Sequence, residues 1–396
     1  MFNIKQNEQY IIKILKSKKW KIIILSMIFC FPCFFNDIKF LLIPYLLKYE
    51  YQQIENYLKI CSSPEYLNMT KENIISNPKI SIVSPVYNTG KFVLRLLKSI
   101  QYQNFKDFEL ILIDDSSVDE SVELIKKCQK YDKRIKLIKN KVNKGTFASR
   151  NLGILKSKGI YLMIPDPDDI LLENTLRYFY HFSIKYNYEL IRFNVYRNYG
   201  KTFLSSVTQH LESRPIYQPE LSTFIFYGLG YLLQIDYNVC NKFIKREALM
   251  RSLNAFNSKD LLMFMTCYED GLLNYYLYRA SKSLYFLKKF GYYYINNKTN
   301  KRRNYYTFDS IKYSFIHIIH VFNNSKNTKY EKDMTNKIFD RVIYKMGIKN
   351  RLHLLDKEFN FFINIINELN NNDFFDIKYK KYLLDFLKYF SNKQFK

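Results

Sequence analysis

Glycine is scarce in this chain of 396 residues, with only 10, and histidine (5) and tryptophan (1) are scarcer still. No GxxxxGK[ST] loop occurs, since "NKGT" at Asn143 to Thr146 lacks its glycine spacing, and there is no GxGxxG. P-loop ATPases and nicotinamide-dinucleotide dehydrogenases of the usual pattern are thereby excluded. The few histidines form no HExxH or zinc-ligand pattern, and "HIIH" at His317 to His320 reads as one helix face. The six cysteines are widely spaced, and the single CxxC, Cys30 to Cys33, lies inside an apolar segment, where it reads as buried or lipid-facing thiols. Acidic residues are also in deficit, 36 against 62 lysines and arginines, which leaves a formal charge of +26. The basic residues are scattered, with no repeated basic block or RNA-binding signature. A dedicated nucleic-acid partner is therefore not expected, and a nucleotide-phosphate substrate fits the charge more economically.

Long apolar runs are missing as well. "IIILSMIFCFPCFF" holds 14 residues, fewer than the roughly 20 that cross a bilayer as a helix. Lysines and Trp20 precede it, "FLLIPYLL" follows, and no small-residue cleavage site is evident. The expectation is an uncleaved signal anchor within residues 1–47, single-pass, with the bulk of the chain on the lumenal side of the endoplasmic reticulum or Golgi. The alternative is a hydrophobic helix docked on a globular domain. Sequons at Asn68, Asn297 and Asn323 allow a lumenal location but arise by chance in so asparagine-rich a chain.

What is present is a chain 47% hydrophobic and 18% aromatic, rich enough to bury a full core. Residues 48–78 read as a stem, and from 79 onward strands and helices alternate. "KISIVSPVYN", "FELILIDDSS", "IKLIKN" and "GIYLMIP" are apolar strands separated by the helical patterns "FVLRLLKSIQ", "DESVELIKKCQKY" and "ASRNLGILKSK". Such alternation predicts a doubly wound α/β unit with a mostly parallel, Rossmann-like sheet, whose ligands sit beyond the carboxyl ends of the strands. "YELIRFNVYRN" is a further strand, helical patches are expected at "STFIFYGLGYLL" and "NKFIKREALM", and residues 299–396 read as amphipathic helices.

Acidic residues concentrate at two strand ends, Asp114-Asp115 and Asp166/Asp168/Asp169. Two carboxylates about 4 Å apart repel by roughly 4 kcal/mol at an effective dielectric near 20, so converging ones need a cation or must point apart. An EF-hand loop is ruled out because its sixth position is Leu171 instead of glycine. A divalent ion shared between one or two carboxylates and substrate phosphates remains.

"ISIVSPVYN", "FELILIDDSSVDES", "NKGTFASRNLGILKSKGIYLMIPDPDD" and "YEDGLLNYYLYRA" resemble, in order and spacing, the glycosyltransferases of family 2, which have the GT-A fold. The resemblance covers residues 79–298. It implies an inverting, metal-dependent transfer of a sugar from a UDP- or GDP-sugar to a glycan, lipid or protein hydroxyl. Pro85, Tyr87 and Asn88 would lie under the nucleotide base, with Asp114 and Asp115 at the base or ribose. Arg150 and Asn151 match the family's "ARN" element, Asp166 and Asp168 would meet the donor, and Asp168 and Asp169 would hold Mn²⁺ or Mg²⁺. Asp270, with Glu269 beside it, matches the general base. The alternative is a degenerate GT-A module that binds nucleotide sugar or glycan without turnover. Two departures stand out: Ser116 replaces a usual glycine, and Pro165 and Pro167 bracket Asp166, where they stiffen the loop.

Overall fold

In a computed structural model the described residues are 77–199, 202–205, 215–218, 221, 238–256, 258–266 and 269–295. The chain divides into two compact units, Met1–Ile60 with Tyr199–Thr202, and Cys61–Asn198 with Phe203–Lys396; the elements below belong almost wholly to the second. The expected anchor, nearly all of the stem, the "STFIFYGLGYLL" patch and the C-terminal helices lie outside the described residues. Among the described residues no helix is long and apolar enough to cross a membrane.

The first half alternates as expected. Strand β1 (Ile80–Val86) leads through a short 3-10 turn (Gly90–Phe92) into α1 (Val93–Gln101), then β2 (Phe108–Asp114), α2 (Ser121–Tyr131) and β3 (Ile135–Lys139). Next come α3 (Gly145–Lys156), β4 (Tyr161–Met163), the two-residue β5 (Ile170–Leu171) and α4 (Thr175–Tyr186). Every residue of β1 and β2 is buried, Ser81, Ser84, Glu109 and Asp114 included, so neither strand alternates between buried apolar and exposed polar positions. Helix α1 packs by a stripe of Val93, Leu94, Leu97 and Ile100, at the three- and four-residue spacing of one helix face.

The second half adds β6 (Leu190–Tyr199), β7 (Thr202–Ser205), β8 (Pro215–Tyr217), β9 (Lys242–Lys245), α5 (Arg246–Leu253), α6 (Ser258–Leu261), α7 (Glu269–Ala280) and β10 (Ser283–Ile295). One sheet runs in the order β3-β2-β1-β4-β9-β6-β10-β5, with β7 beside β6 and β8 beside β10. Only its first four strands form a continuous parallel set. Strand β9 is antiparallel to both β4 and β6, and β10 is parallel to β6 but antiparallel to β5 and β8. The sheet is therefore mixed, a correction to the mostly parallel expectation. "NKFIKREALM" also differs, because Lys242–Lys245 is a strand and the helix starts at Arg246. Pairing on both sides decided that tetrapeptide, overriding its local helical pattern.

Pro85 lies inside β1, opposite Ile113 of β2, yet costs the sheet little. On its other side β1 pairs with β4 only over Ile80 to Ile82, so no ladder donor is needed at position 85 on that flank.

Candidate functional site

The carboxyl ends of β1, β2 and β4 carry the loops that the sequence singles out. Those after β1 and β2 are tied to each other. Asn88 donates its N–H to Ser117 Oγ at 3.0 Å, and its Oδ1 accepts the N–H of Val118 at 2.9 Å. Ser121 Oγ accepts the N–H groups of Thr89 and Gly90 at 3.0 and 2.7 Å. Asn88 and Ser116 both hold positive φ, at 46° and 67°. Ser116 thus takes the left-handed conformation that glycine usually supplies, and the turn it makes is closed by the Ser117 N–H on Asp114 Oδ1 at 3.1 Å. Tyr87 is 52% exposed at the rim of this pair of loops, whereas Pro85 is buried in the strand below.

Both members of the first acidic pair are buried. Asp115 Oδ1 accepts Asn140 Nδ2 and the Lys144 N–H, each at 2.8 Å, which fixes the strand end to the loop that opens α3. Asp114 Oδ2 is buried without a hydrogen-bond partner among the described residues. An orphaned buried carboxylate oxygen calls for an explanation, and a ligand donor would provide one.

Helix α3 carries Arg150 and Asn151 into the interior. Its first residue, Gly145, has φ +82° and sits so close to the 261–266 segment that a Cβ there would lie 2.8 Å from the Met265 nitrogen. The Phe147 N–H donates to Met265 O at 3.0 Å and Asn151 Nδ2 to Leu261 O at 2.9 Å. Together these contacts hold the segment that leads into α7, whose first turn is Glu269-Asp270.

Arg150 is buried at 1% exposure and gathers three carboxylates. Its Nη1 donates to Asp270 Oδ1 at 2.5 Å and lies 4.0 Å from Glu269 Oε1, while Nη2 lies 4.0 Å from Asp166 Oδ1. Burial alone would lower the guanidinium's proton affinity, but Asp270, Glu269 and Asp166 outweigh it and hold the affinity above its ordinary value. Asp166 is 37% exposed. Its carboxyl is pushed up to about 7, chiefly by desolvation and the charge of Asp270, against the pull of Arg150 and with Asp168 and Glu269 adding to the rise.

Asp169 departs from the sequence expectation. It is fully buried, with Oδ2 accepting the Tyr292 hydroxyl and Oδ1 the Ile295 N–H, each at 2.8 Å. Both oxygens are thus engaged inside the fold, a placement unlike that of an open metal ligand. Asp168 is half-buried, beside Asp166 on the exposed side of the loop. Among the described residues no group of three His, Cys, Asp or Glu side chains forms a metal cage. Carboxylates crowded enough to raise the proton affinity of Asp166, with no cluster of three ligands among the described residues, suit a divalent cation completed by substrate phosphates. They do not suit a closed all-protein site.

Tyr292 and Asn140 have no counterpart in the sequence reading. No signal marks Tyr292 in "FGYYYI", where three consecutive tyrosines are equivalent until the strand register is known. Asn241 and Lys242 are buried in β9 and its approach, where Lys242 Nζ donates to Asn238 O and to Asn241 Oδ1.

A parallel nucleotide-type half sheet with acidic loops at its carboxyl edge, extended by mixed strands, defines an α/β domain of the GT-A type. Residues 81–253 match the family model "Glycosyl transferase family 2", and the domain belongs to that family. Among curated relatives, an uncharacterized glycosyltransferase of Rickettsia bellii is 41% identical over 109 residues, 28% of this chain and 15% of that protein. The GalNAc(5)-diNAcBac-PP-undecaprenol beta-1,3-glucosyltransferase of Campylobacter jejuni is 37% identical over 100 residues, 25% of this chain and 32% of that one. The crystal structure of S. aureus TarS 1-349 in complex with UDP-GlcNAc superposes with TM-score 0.56 at 18% identity, over 73% of this chain and 81% of that one. The likeness to TarS shows the fold. The matched segments span between 15% and 40% of the curated relatives' own lengths.

Proposed function

We propose that the domain transfers a sugar, with inversion, from a nucleotide-diphosphate donor to an acceptor hydroxyl. The observation that carries this reading is the convergence of Asp166, Glu269 and Asp270, from two distant stretches of chain, on the single guanidinium of Arg150. Asp270 is the general base. Its Oδ1 is held by Arg150, while among the described residues Oδ2 accepts only a long 3.4 Å contact from the Val239 N–H and can accept a proton. The acceptor O–H gives that proton to Oδ2 as its oxygen bonds to the anomeric carbon, and the bond from that carbon to the diphosphate breaks on the opposite face. No covalent sugar–enzyme intermediate is needed.

Asp166 and Asp168 would hold Mn²⁺ or Mg²⁺, and the bound ion would neutralise charge developing on the leaving diphosphate. Asp114 and Asp115 would face the ribose or base, with Tyr87 at the rim. Arg150 orients Asp270 and offsets the acidic charge of the crevice. A UDP-sugar is the favoured donor, supported by the UDP-GlcNAc and UDP complexes of S. aureus TarS. A lipid-linked glycan is a reasonable acceptor on the pattern of the C. jejuni relative's name.

The test is a panel of UDP- and GDP-sugars screened by thermal shift with Mn²⁺, followed by transfer assays on the hits. A ligand at 100 times its dissociation constant adds about 2.7 kcal/mol of stability, well within detection. Binding of one donor with transfer to an added glycan supports the reading. Binding with neither transfer nor donor hydrolysis would identify a non-catalytic module instead.

A further inference from the structure

The acidic loop Pro165-Asp166-Pro167-Asp168-Asp169 has an unusual supply of backbone donors. Neither proline has an N–H, so over residues 165–167 the only amide proton belongs to Asp166. That proton goes to a side chain on a distant strand: the Asp166 N–H donates to Tyr292 Oη at 2.9 Å. The same hydroxyl donates its own proton to Asp169 Oδ2 at 2.8 Å. One phenol thus fills one acceptor and its single donor position on the two ends of a four-residue acidic turn. Tyr292 is fully buried, and three residues further along β10 the Ile295 N–H takes the other oxygen of Asp169.

The strand is shaped for this contact. Against β6, Phe290 pairs with Asn194 and Tyr292 with Val195, so Gly291 is an extra, unpaired residue, a β-bulge. Bulges re-aim the side chains that follow them. The bulge is pinned by Leu172 N–H and Thr175 Oγ1, both donating to Gly291 O at 3.0 Å, and a Cβ on Gly291 would lie 2.7 Å from the Phe179 ring. Immediately beyond the bulge Tyr292 pairs with Leu171 of β5, the strand that directly follows the acidic turn.

We propose that Tyr292 is a positioning residue: its hydroxyl sets the backbone at Asp166 and the carboxylate of Asp169 so that Asp166 and Asp168 are presented to the diphosphate end of the donor. The inference rests on the proposed function for what the loop binds, while the tie itself is independent of it. Outer partners of this kind typically change metal affinity by about 10–100-fold when removed.

Tyr292→Phe keeps the ring and deletes both bonds. UDP affinity is measured by calorimetry with and without Mn²⁺, alongside thermal midpoint and amide hydrogen exchange. The expected result is a loss of about tenfold or more in the Mn²⁺-dependent gain in UDP affinity, with Mn²⁺-free affinity retained and faster exchange confined to residues 164–171. A variant that keeps the full Mn²⁺ gain overturns the proposal. So does a parallel fall of both affinities with the thermal midpoint, which marks a merely structural role. If the wild-type protein shows no Mn²⁺ gain, the metal reading fails, and exchange at Asp166 still decides whether Tyr292 holds the loop. Should the variant not fold, the unaltered protein answers the same question. A slow Asp166 amide, comparable with those of β4, supports the tie, and exchange at open-loop rates overturns it.

Discussion

Arg150 Nη1 lies 2.5 Å from Asp270 Oδ1, a charge-assisted contact between residues 120 positions apart in the chain. It joins the interior of α3 to the first turn of α7, and it engages Oδ1 of the proposed base while Oδ2 has the longer 3.4 Å contact with the Val239 N–H. Asp270→Asn preserves size and a hydrogen-bond acceptor for Arg150 but removes the base. The expected outcome is a fall in kcat of about 10²–10⁴ with little change in donor KM, read by steady-state sugar transfer. A rate near wild type would remove Asp270 from the mechanism.

Removing the cation is a different perturbation. Arg150→Met leaves Asp166, Glu269 and Asp270 crowded with no neutralising partner, and breaking a buried pair in this way costs about 3–5 kcal/mol. Partial exposure of Asp270 and Asp166 places the loss at the lower end of that range. Combining Arg150→Met with Asp270→Asn should cost less than the sum, because the second change removes one stranded charge. Urea denaturation of the four proteins of the cycle measures this, and strict additivity would show that the two residues do not act together.

Asp166 gives stability a pH dependence of definite sign. Its folded-state pKa of about 7 lies above the unfolded value of about 3.9, so the folded protein holds this proton more tightly. The group's stabilising contribution is complete below about pH 4 and is lost as pH rises through about 7. In divalent-free buffer Asp166→Asn should match wild type near the acid end and melt higher at about pH 8. Equal midpoints across the range would contradict the crowding of charge described for the crevice.

The two neighbouring aspartates should separate cleanly. Asp169→Ala strands the Tyr292 hydroxyl and the Ile295 N–H in the interior, at a cost of about 1–3 kcal/mol in chemical denaturation. Asp168→Ala should instead abolish the Mn²⁺ increment in UDP binding. The reverse pattern would restore Asp169 as the metal ligand.

Gly145→Ala tests the clasp beneath the base. The added methyl would meet the Met265 backbone at 2.8 Å and force a left-handed residue, which alone costs about 1–2 kcal/mol. Displacement of the 261–266 segment should also lower kcat through Glu269 and Asp270. Unchanged stability and turnover would show that the segment yields at no cost.

Much of the first half of the domain was legible because its signals are local. Apolar runs of strand length, separated by helices with one apolar face, specify β1 to β4 and the helical crossovers between them, and the acidic pairs fall at strand ends by counting alone. The second half was less legible. Lys242–Lys245 looks helical in isolation, and the sequence reading assigned no structure to the long β10, whose "SLYFLKKFGYYYI" lacks clean alternation across its bulge. These strands exist because partners on either side need them.

By itself the sequence determined the chemistry available, namely acidic residues at two strand ends, a Glu-Asp at a helix start, an arginine between them and prolines that strip donors from one turn. Tertiary structure decided the assignment of roles. Asp166 stays partly exposed beside Arg150 and Asp169 does not, because a bulge in β10 aims Tyr292 at the turn and draws Asp169 into the core. Arg150 meets Asp270 because the clasp at Gly145 and Asn151 sets where α7 begins. Both outcomes depend on contacts between residues more than a hundred positions apart, and local pattern carries no information at that range.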